Sequence, residues 1–346
     1  RTTDSEGLIY EKPIEIEIKN TQDSGWRFAA PNNSGLDNNN TWSQLSIDNP
    51  FISGLMTGAK WGRYDPDDKI DVDLEFYFFD NEEFYGLYGH KFTEEEKEAA
   101  TTAMSSFAEV AQLTFTETSN KYNANIAWAS LNNEDSNGAL GFAVTPEWPD
   151  YAGITTVNRD FYKDRLDEGI INPGSFFYIT FAHELGHALG LKHPHDASLY
   201  QRFPGVTSSS DTGDNGLNAT PWTLMTYNDV NANQYSPSTY SYSGYLTSPG
   251  AFDIAALQYL YGANLNTNIQ NNIYSINSDL NGFKCIWDTG GIDTIEGTNS
   301  SDSVTIDLRN ATLLNQEGGG GYVSQEKDNY NGYTIAYNST GNCIIE

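Results

Sequence analysis

The sequence predicts an α+β fold, a mostly parallel twisted sheet backed by helices and followed by a smaller β-rich region. Three observations carry that expectation. Ile70, Val72, Leu74, Phe76 and Phe78 alternate with Asp71, Asp73, Glu75 and Tyr77, the period of a strand with one buried face. A capped helical segment follows and further short strands come after it, and strand, helix, strand order within one sheet requires parallel crossovers. After Asn264 the helical period disappears, and Asn, Gly, Thr and Ser dominate with short β-branched runs such as Val304-Thr305-Ile306.

Taken in chain order, residues 1–50 are polar and rich in Asn, Asp and Ser, and read as a loosely packed lead. The strand over 70–78 comes next. Thr93 and Glu96 form a capping box, and Ala100, Ala103, Met104, Phe107, Val110 and Ala111 recur every three or four residues behind it, which predicts a helix. Strands are expected over 113–117, 125–129 and 154–157. Between the last two, the small apolar run 138–144 fits a short edge strand or a surface loop. A second helix should start near Gly174 and stop at Gly190, because glycine tolerates the left-handed conformation that turns a chain out of a helix. This divides the chain into a lead (1–50), a main domain (51–264) and a β-rich C-terminal domain (265–346).

Composition limits the function classes. A chain of 346 residues, 38% hydrophobic and 13% aromatic, can build a large core. Acidic residues outnumber basic ones 47 to 18, a formal charge of −29, and such a surface repels phosphate backbones and anionic lipid. Nucleic-acid and membrane-surface roles are therefore not expected. No run of 18 apolar residues occurs.

The chemistry is concentrated in His183-Glu184-Leu185-Gly186-His187-Ala188-Leu189-Gly190-Leu191-Lys192-His193-Pro194-His195, which holds four of the five histidines. Four residues apart on a helix, His183 and His187 share one face and can point at one ion. The turn at Gly190 lets His193 return toward it. Three neutral imidazoles leave one position open for water, the pattern of catalytic Zn2+ and not of a closed four-ligand site. Glu184 is turned off the metal axis, where a carboxylate can take a proton from the attacking water and pass it to a leaving amine. His195 is not required by the pattern and reads as a neighbouring imidazole.

Downstream stands Thr223-Leu224-Met225-Thr226-Tyr227-Asn228. Here the chain resembles the metzincin metalloproteases, whose zinc motif is followed by a tight methionine turn. Met225 fits that turn, although a methionine filling a core gap would look the same locally. Tyr227 resembles the serralysin and astacin branches, in which a tyrosine at this place is a further zinc ligand that swings away to stabilise the oxyanion, and Pro194 after the third histidine resembles serralysin rather than astacin. Trp61, Ala124-Asn125-Ile126-Ala127-Trp128, Asn172-Pro173-Gly174-Ser175 and the run from Asp253 to Asn264 are similar to serralysin landmarks, and the likeness covers most of residues 50–346.

The resemblance implies a metzincin catalytic domain and a secreted, extracellular, monomeric zinc endopeptidase acting on protein or peptide substrates. It also implies that Gly141, Phe142 and Ala143 form an edge strand pairing with extended peptide. In serralysins an element like Trp287-Asp288-Thr289-Gly290-Gly291-Ile292-Asp293-Thr294 binds Ca2+, which would assign Asp288, Gly290, Gly291, Asp293 and Glu346 to a structural calcium; a hairpin turn is the plainer alternative. The family's upstream ligands are replaced by Asn268 and Gln270. The glycine-aspartate calcium repeats that follow in serralysins do not occur in these residues. Two cysteines, Cys285 and Cys343, depart from a family that usually has none; export would let them pair, closing a loop worth roughly 4 kcal/mol of chain entropy, and two buried thiols are the alternative. Two rival functions stay open at this point: a zymogen form in which the N-terminal residues fill the cleft, and a catalytically silent binding protein on the same fold.

Overall fold

The computed structural model describes residues 48–62, 72–148, 150–197, 201–229, 243–277, 280–298, 300, 302–327 and 329–337, together with the backbone of a short antiparallel pair, Thr2–Thr3 (β1) and Ile9–Tyr10 (β2). The remainder of the polar lead up to residue 47, Cys343 and Glu346 lie outside the described residues.

A five-stranded sheet forms the centre. Its strands are Val72–Phe78 (β3), Leu113–Glu117 (β6), Ile126–Leu131 (β7), Gly141–Ala143 (β8) and Ile154–Asn158 (β9), in the order β6-β3-β7-β9-β8. All pairings are parallel except that of β8, which runs antiparallel to β9 and forms one edge. The alternation read from the sequence is reproduced in β3, where Val72, Leu74, Phe76 and Phe78 are buried on the helix side. Tyr77, of opposite parity, packs on the other face with Phe79 and Phe84 beneath the hairpin Glu82–Phe84 (β4) and Leu87–Gly89 (β5). With both faces covered, β7 is buried along its whole length, as a central parallel strand should be.

Helix Pro50–Gly54 (α1) precedes the sheet, and Glu94–Val110 (α2) crosses one face. The capping box of α2 is present: Glu96 N–H donates to Thr93 Oγ1 and Thr93 N–H donates to Glu96 Oε2. Phe176–Ala188 (α3) packs against α2 and against β8 and β9, with Ser175 as its N-cap, so it starts slightly later than Gly174. Gly174 lies just before it at φ +86°, where a Cβ would collide with the Asn281 carbonyl. Ala251–Tyr261 (α4) closes the main core, with Phe252 stacked on Phe51 of α1.

The serralysin-like landmarks have local reasons. Trp61 Nε1 donates to the Ala188 carbonyl and the Tyr261 hydroxyl to that of Leu189, both at 2.7 Å, so two end-of-helix carbonyls of α3 are satisfied by remote side chains. Gly190 follows at φ +95°, with the Ala59 carbonyl where a Cβ would sit.

Beyond α4 come short strands: Ile273–Ser275 (β10) parallel to Thr294–Glu296 (β12), Phe283–Ile286 (β11) parallel to Gly332–Ile335 (β15), and Val304–Thr305 (β13) antiparallel to Gln325–Glu326 (β14). Ile276, Ile286, Ile295, Tyr333 and Ile335 make a small core of their own, whereas Phe283, Cys285, Trp287, Ala311 and Leu313 are continuous with the large one.

Candidate metal centre

Helix α3 carries His183 and His187 on the side facing the cleft, and the turn at Gly190 brings His193 to them. Their Nε2 atoms form a near-equilateral triangle, 3.1 Å from His183 to His187, 3.1 Å from His183 to His193 and 3.0 Å from His187 to His193. Each Nδ1 faces an oxygen: the Leu224 carbonyl at 2.7 Å for His183, the Leu191 carbonyl at 2.8 Å for His187, and Asp196 Oδ2 at 2.8 Å for His193. Those oxygens can only accept, so each Nδ1 carries the proton and each Nε2 presents a bare lone pair. Three lone pairs converging with no proton between them repel one another unless a cation sits among them. On a tetrahedral zinc with bonds of about 2.0–2.1 Å, nitrogens stand roughly 3.3 Å apart, close to the spacing here. The residues present fit the metal. Burial, then the neighbouring imidazoles, push His183 well below the ordinary histidine range and His187 down to about 3, which keeps both neutral and able to ligate.

Glu184 is buried beside this triangle, and burial pushes its carboxyl up to about 8 in the metal-free protein. The edge strand passes directly over it. At Gly141 a Cβ would meet the Thr156 carbonyl at 2.5 Å and Glu184 Cγ at 3.0 Å, so only glycine lets β8 come this close. Phe142 is turned toward the sheet: its N–H donates to Thr156 Oγ1, and that hydroxyl donates back to the Phe142 carbonyl. Leu140, of the same parity, accepts from Asn158 N–H, and Val144 N–H donates to the Ile154 carbonyl. The alternation of an antiparallel ladder therefore leaves the N–H and C=O of Gly141 and Ala143 on the open edge. Of the three residues expected to pair with peptide, Phe142 holds the strand to the sheet instead.

Tyr227 packs its ring on His183, His193 and His195, with centroids 5.7, 4.6 and 5.1 Å away. His195 stacks on His193 at 4.8 Å with the rings nearly parallel, so it backs the third histidine. Met225 is fully buried under the helix, its sulfur 2.7 Å from where a Cβ on Gly186 would lie. Next to Glu184 a pocket is walled by Leu140, Phe176, Ile179, Leu224 and Tyr245, and Thr220 is its one wall from the loop between Asp196 and Pro221 among the described residues.

Several contributors were not legible in advance. Asp196 is one, three residues after His193 but without a motif to mark it. Gly186 is another, and its signal was an unexplained glycine inside a helix. Lys192 is buried, donating to the Gly54 carbonyl at 2.7 Å and that of Asp196 at 3.0 Å, which ties the third-histidine loop to α1. Asp253 is a fourth and is taken up below.

A model of metallopeptidase family M12 matches residues 77–236. Metallopeptidase AprA of Pseudomonas marginalis is 29% identical over 321 residues, 87% of this chain and 65% of that protein. Serralysin B of Dickeya chrysanthemi is 30% identical, covering 74% of this chain and 54% of the relative. This chain is similar to the serralysin-type metallopeptidases. Serralysin of Proteus mirabilis agrees at 29% over 64% of the chain and 48% of the relative, so the chain spans between about half and two thirds of the length of these serralysins. The family is a metallopeptidase one, and a metal is the cofactor for which the histidine triangle is shaped. Among the described residues no helix is long and apolar enough to cross a membrane.

The second metal expectation concerns the loop after β11. Asp288 is buried, accepting from Gly290 N–H and from the Tyr274 hydroxyl, and Asp293 accepts from Asn272 N–H. Asp293 Oδ2 and Asn272 Oδ1 are buried with no hydrogen-bond partner among the described residues. Gly291 has φ +106° and lies against the Gln270 backbone. Asn268 Nδ2 donates to the Trp287 carbonyl, while Asn272 presents the buried oxygen in this stretch.

Proposed function

We propose that this chain is the catalytic part of a secreted zinc endopeptidase that hydrolyses protein substrates, with residues 51–264 carrying the chemistry and the β-rich region 265–346 acting as a calcium-steadied support. The observation that carries the reading is the triangle of unprotonated Nε2 atoms beside a buried, unligated Glu184. Zinc bound by His183, His187 and His193 would polarise the scissile carbonyl and acidify the attacking water. An extended peptide pairs with the outward N–H and C=O groups of Gly141 and Ala143, which are indifferent to side-chain identity. The apolar pocket lined by Phe176, Ile179 and Leu224 takes one substrate side chain and excludes water from it. Glu184 accepts the proton of the attacking water and hands it to the departing nitrogen; its burial suits a group that must hold a proton in mid-reaction. Tyr227, packed on two of the histidines, supplies a hydroxyl toward the developing oxyanion. Asp288, Asp293, the Asn272 side-chain oxygen and the backbone around Gly290 and Gly291 hold calcium, whose charge relieves two buried carboxyls and whose coordination uses the idle oxygens.

Glu184→Ala tests the reading on a denatured protein substrate with bound zinc quantified. Zinc should stay stoichiometric while turnover falls on the order of 10²–10⁴-fold. Unchanged turnover, or a wild type that binds no zinc, defeats it.

A further inference from the structure

The three histidines are not held alike. His187 finds its acceptor at Leu191, in the same helix end, and His193 finds Asp196 in the same turn, whereas His183 depends on Leu224, 41 residues away. Its orientation is therefore set by whatever holds that distant carbonyl. The Leu224 carbonyl shares a peptide group with Met225 N–H, which donates to Thr223 Oγ1 at 3.1 Å. The Thr223 hydroxyl in turn donates to Asp253 Oδ1 at 2.6 Å. Resting on the zinc reading above, we propose that Asp253 is a positioning residue for the metal centre, linked to His183 by an unbroken hydrogen-bond relay through Thr223 and the Leu224–Met225 peptide.

Every bond in the relay points the same way, from imidazole N–H to carboxylate, so each polarises the next. A negative charge at its far end draws the Nδ1 proton outward and makes Nε2 a stronger donor to the ion. Asp253 also accepts from Leu224 N–H at 2.6 Å and Gly250 N–H at 2.9 Å. Three donors converging on two oxygens suit an acceptor-only group, and an amide in its place would turn an N–H either toward the two backbone N–H groups or toward the Thr223 hydroxyl, reversing the relay. Capping α4 alone would need only the Gly250 bond, which a serine could make without burying a carboxyl. Asp253 is fully buried, and that burial pushes its carboxyl up to about 7 against the pull of its three donors. Such a cost is explained by the bonds to Thr223 and Leu224, not by the cap.

Thr223 is the point at which to cut the relay, since Thr223→Val is isosteric and leaves the Leu224 N–H bond to Asp253 in place. Zinc affinity, measured by competition with a chromogenic chelator, should fall about 10–100-fold in Thr223→Val and stay close to wild type in Thr223→Ser, which restores the hydroxyl. The melting temperature of the metal-free protein is read alongside: a purely structural role predicts a lower melting temperature with zinc affinity unchanged, and that result overturns the proposal. Should Thr223→Val not fold, Thr223→Cys, a weak donor and acceptor, supplies the same comparison; intermediate affinity supports the relay, and wild-type affinity overturns it. Because zinc alone is the probe, a wild type that binds zinc and hydrolyses protein while the variants bind it equally well removes this inference and leaves the proposed function standing.

Discussion

The histidine triangle and the loop from Asp288 to Asp293, proposed above to hold zinc and calcium, are built differently. In the first, all three donors lie on α3 and the turn after it, and every Nδ1 has an acceptor before any ion arrives. In the second, Asp293 meets Asn272 only because β10 and β12 pair in parallel, Ile273 opposite Thr294, and two buried oxygens are left without partners among the described residues. A helix turn fixes the first site, so its ion can serve chemistry. Strand pairing creates the second, so an ion bound there would serve folding, because an ion that binds only the paired state stabilises that state.

This difference can be broken first with calcium. At a hundredfold excess over its dissociation constant, calcium should stabilise the protein by about 2.7 kcal/mol, visible as a rise in melting temperature, while turnover per bound zinc is unchanged. Asp293→Asn should abolish the rise and leave zinc binding intact. A melting temperature indifferent to calcium would reduce the loop to a hairpin turn.

A smaller effect is expected at Gly186, on the helix that carries two of the three histidines. An alanine there gains about 1 kcal/mol of helix propensity but drives its Cβ into the Met225 sulfur, an overpacking cost of about 1–3 kcal/mol. Net stability should move little. The methionine turn must yield, however, and with it the Leu224 carbonyl on His183, so turnover should drop on the order of tenfold. Loss of stability without loss of turnover would show that the triangle tolerates movement beneath it.

How much of this was legible in the sequence follows the same division. The capping box of α2, the strands β6, β7 and β9, the break at Gly190 and the three-histidine constellation all depend on neighbours within a few residues, and their spacing states their geometry. Phe142 could not be placed, because whether a residue's N–H and C=O face the sheet or the open edge depends on a register one position out of two, which 138–144 does not specify alone. Asp253 was visible only as part of a familiar run; its use appears when α4 docks on the methionine turn. That Asn272 turns a buried oxygen toward this loop was likewise undetermined until β10 and β12 were paired. Asp196 and Lys192 contribute through a loop conformation that carries no periodic signal.

Cys285 offers the finest test, because it reports whether the β-rich region opens independently of the main core. It lies on β11, opposite Thr334 of β15, and its side chain belongs to the large core shared with α3 and α4. Burial pushes its thiol up to about 12, so at pH 8 the reactive thiolate is on the order of 10⁻⁴ of the population even before access is considered. Native protein should therefore resist iodoacetamide, and labelling should proceed only through opening. If the labelling rate equals that of global unfolding, the C-terminal strands and the metal centre are one cooperative unit, and calcium at the loop stabilises the zinc site indirectly. Faster labelling that calcium suppresses would mean that β10 to β15 open on their own. Zinc would then have no effect on that rate, since its three histidines are held together without them.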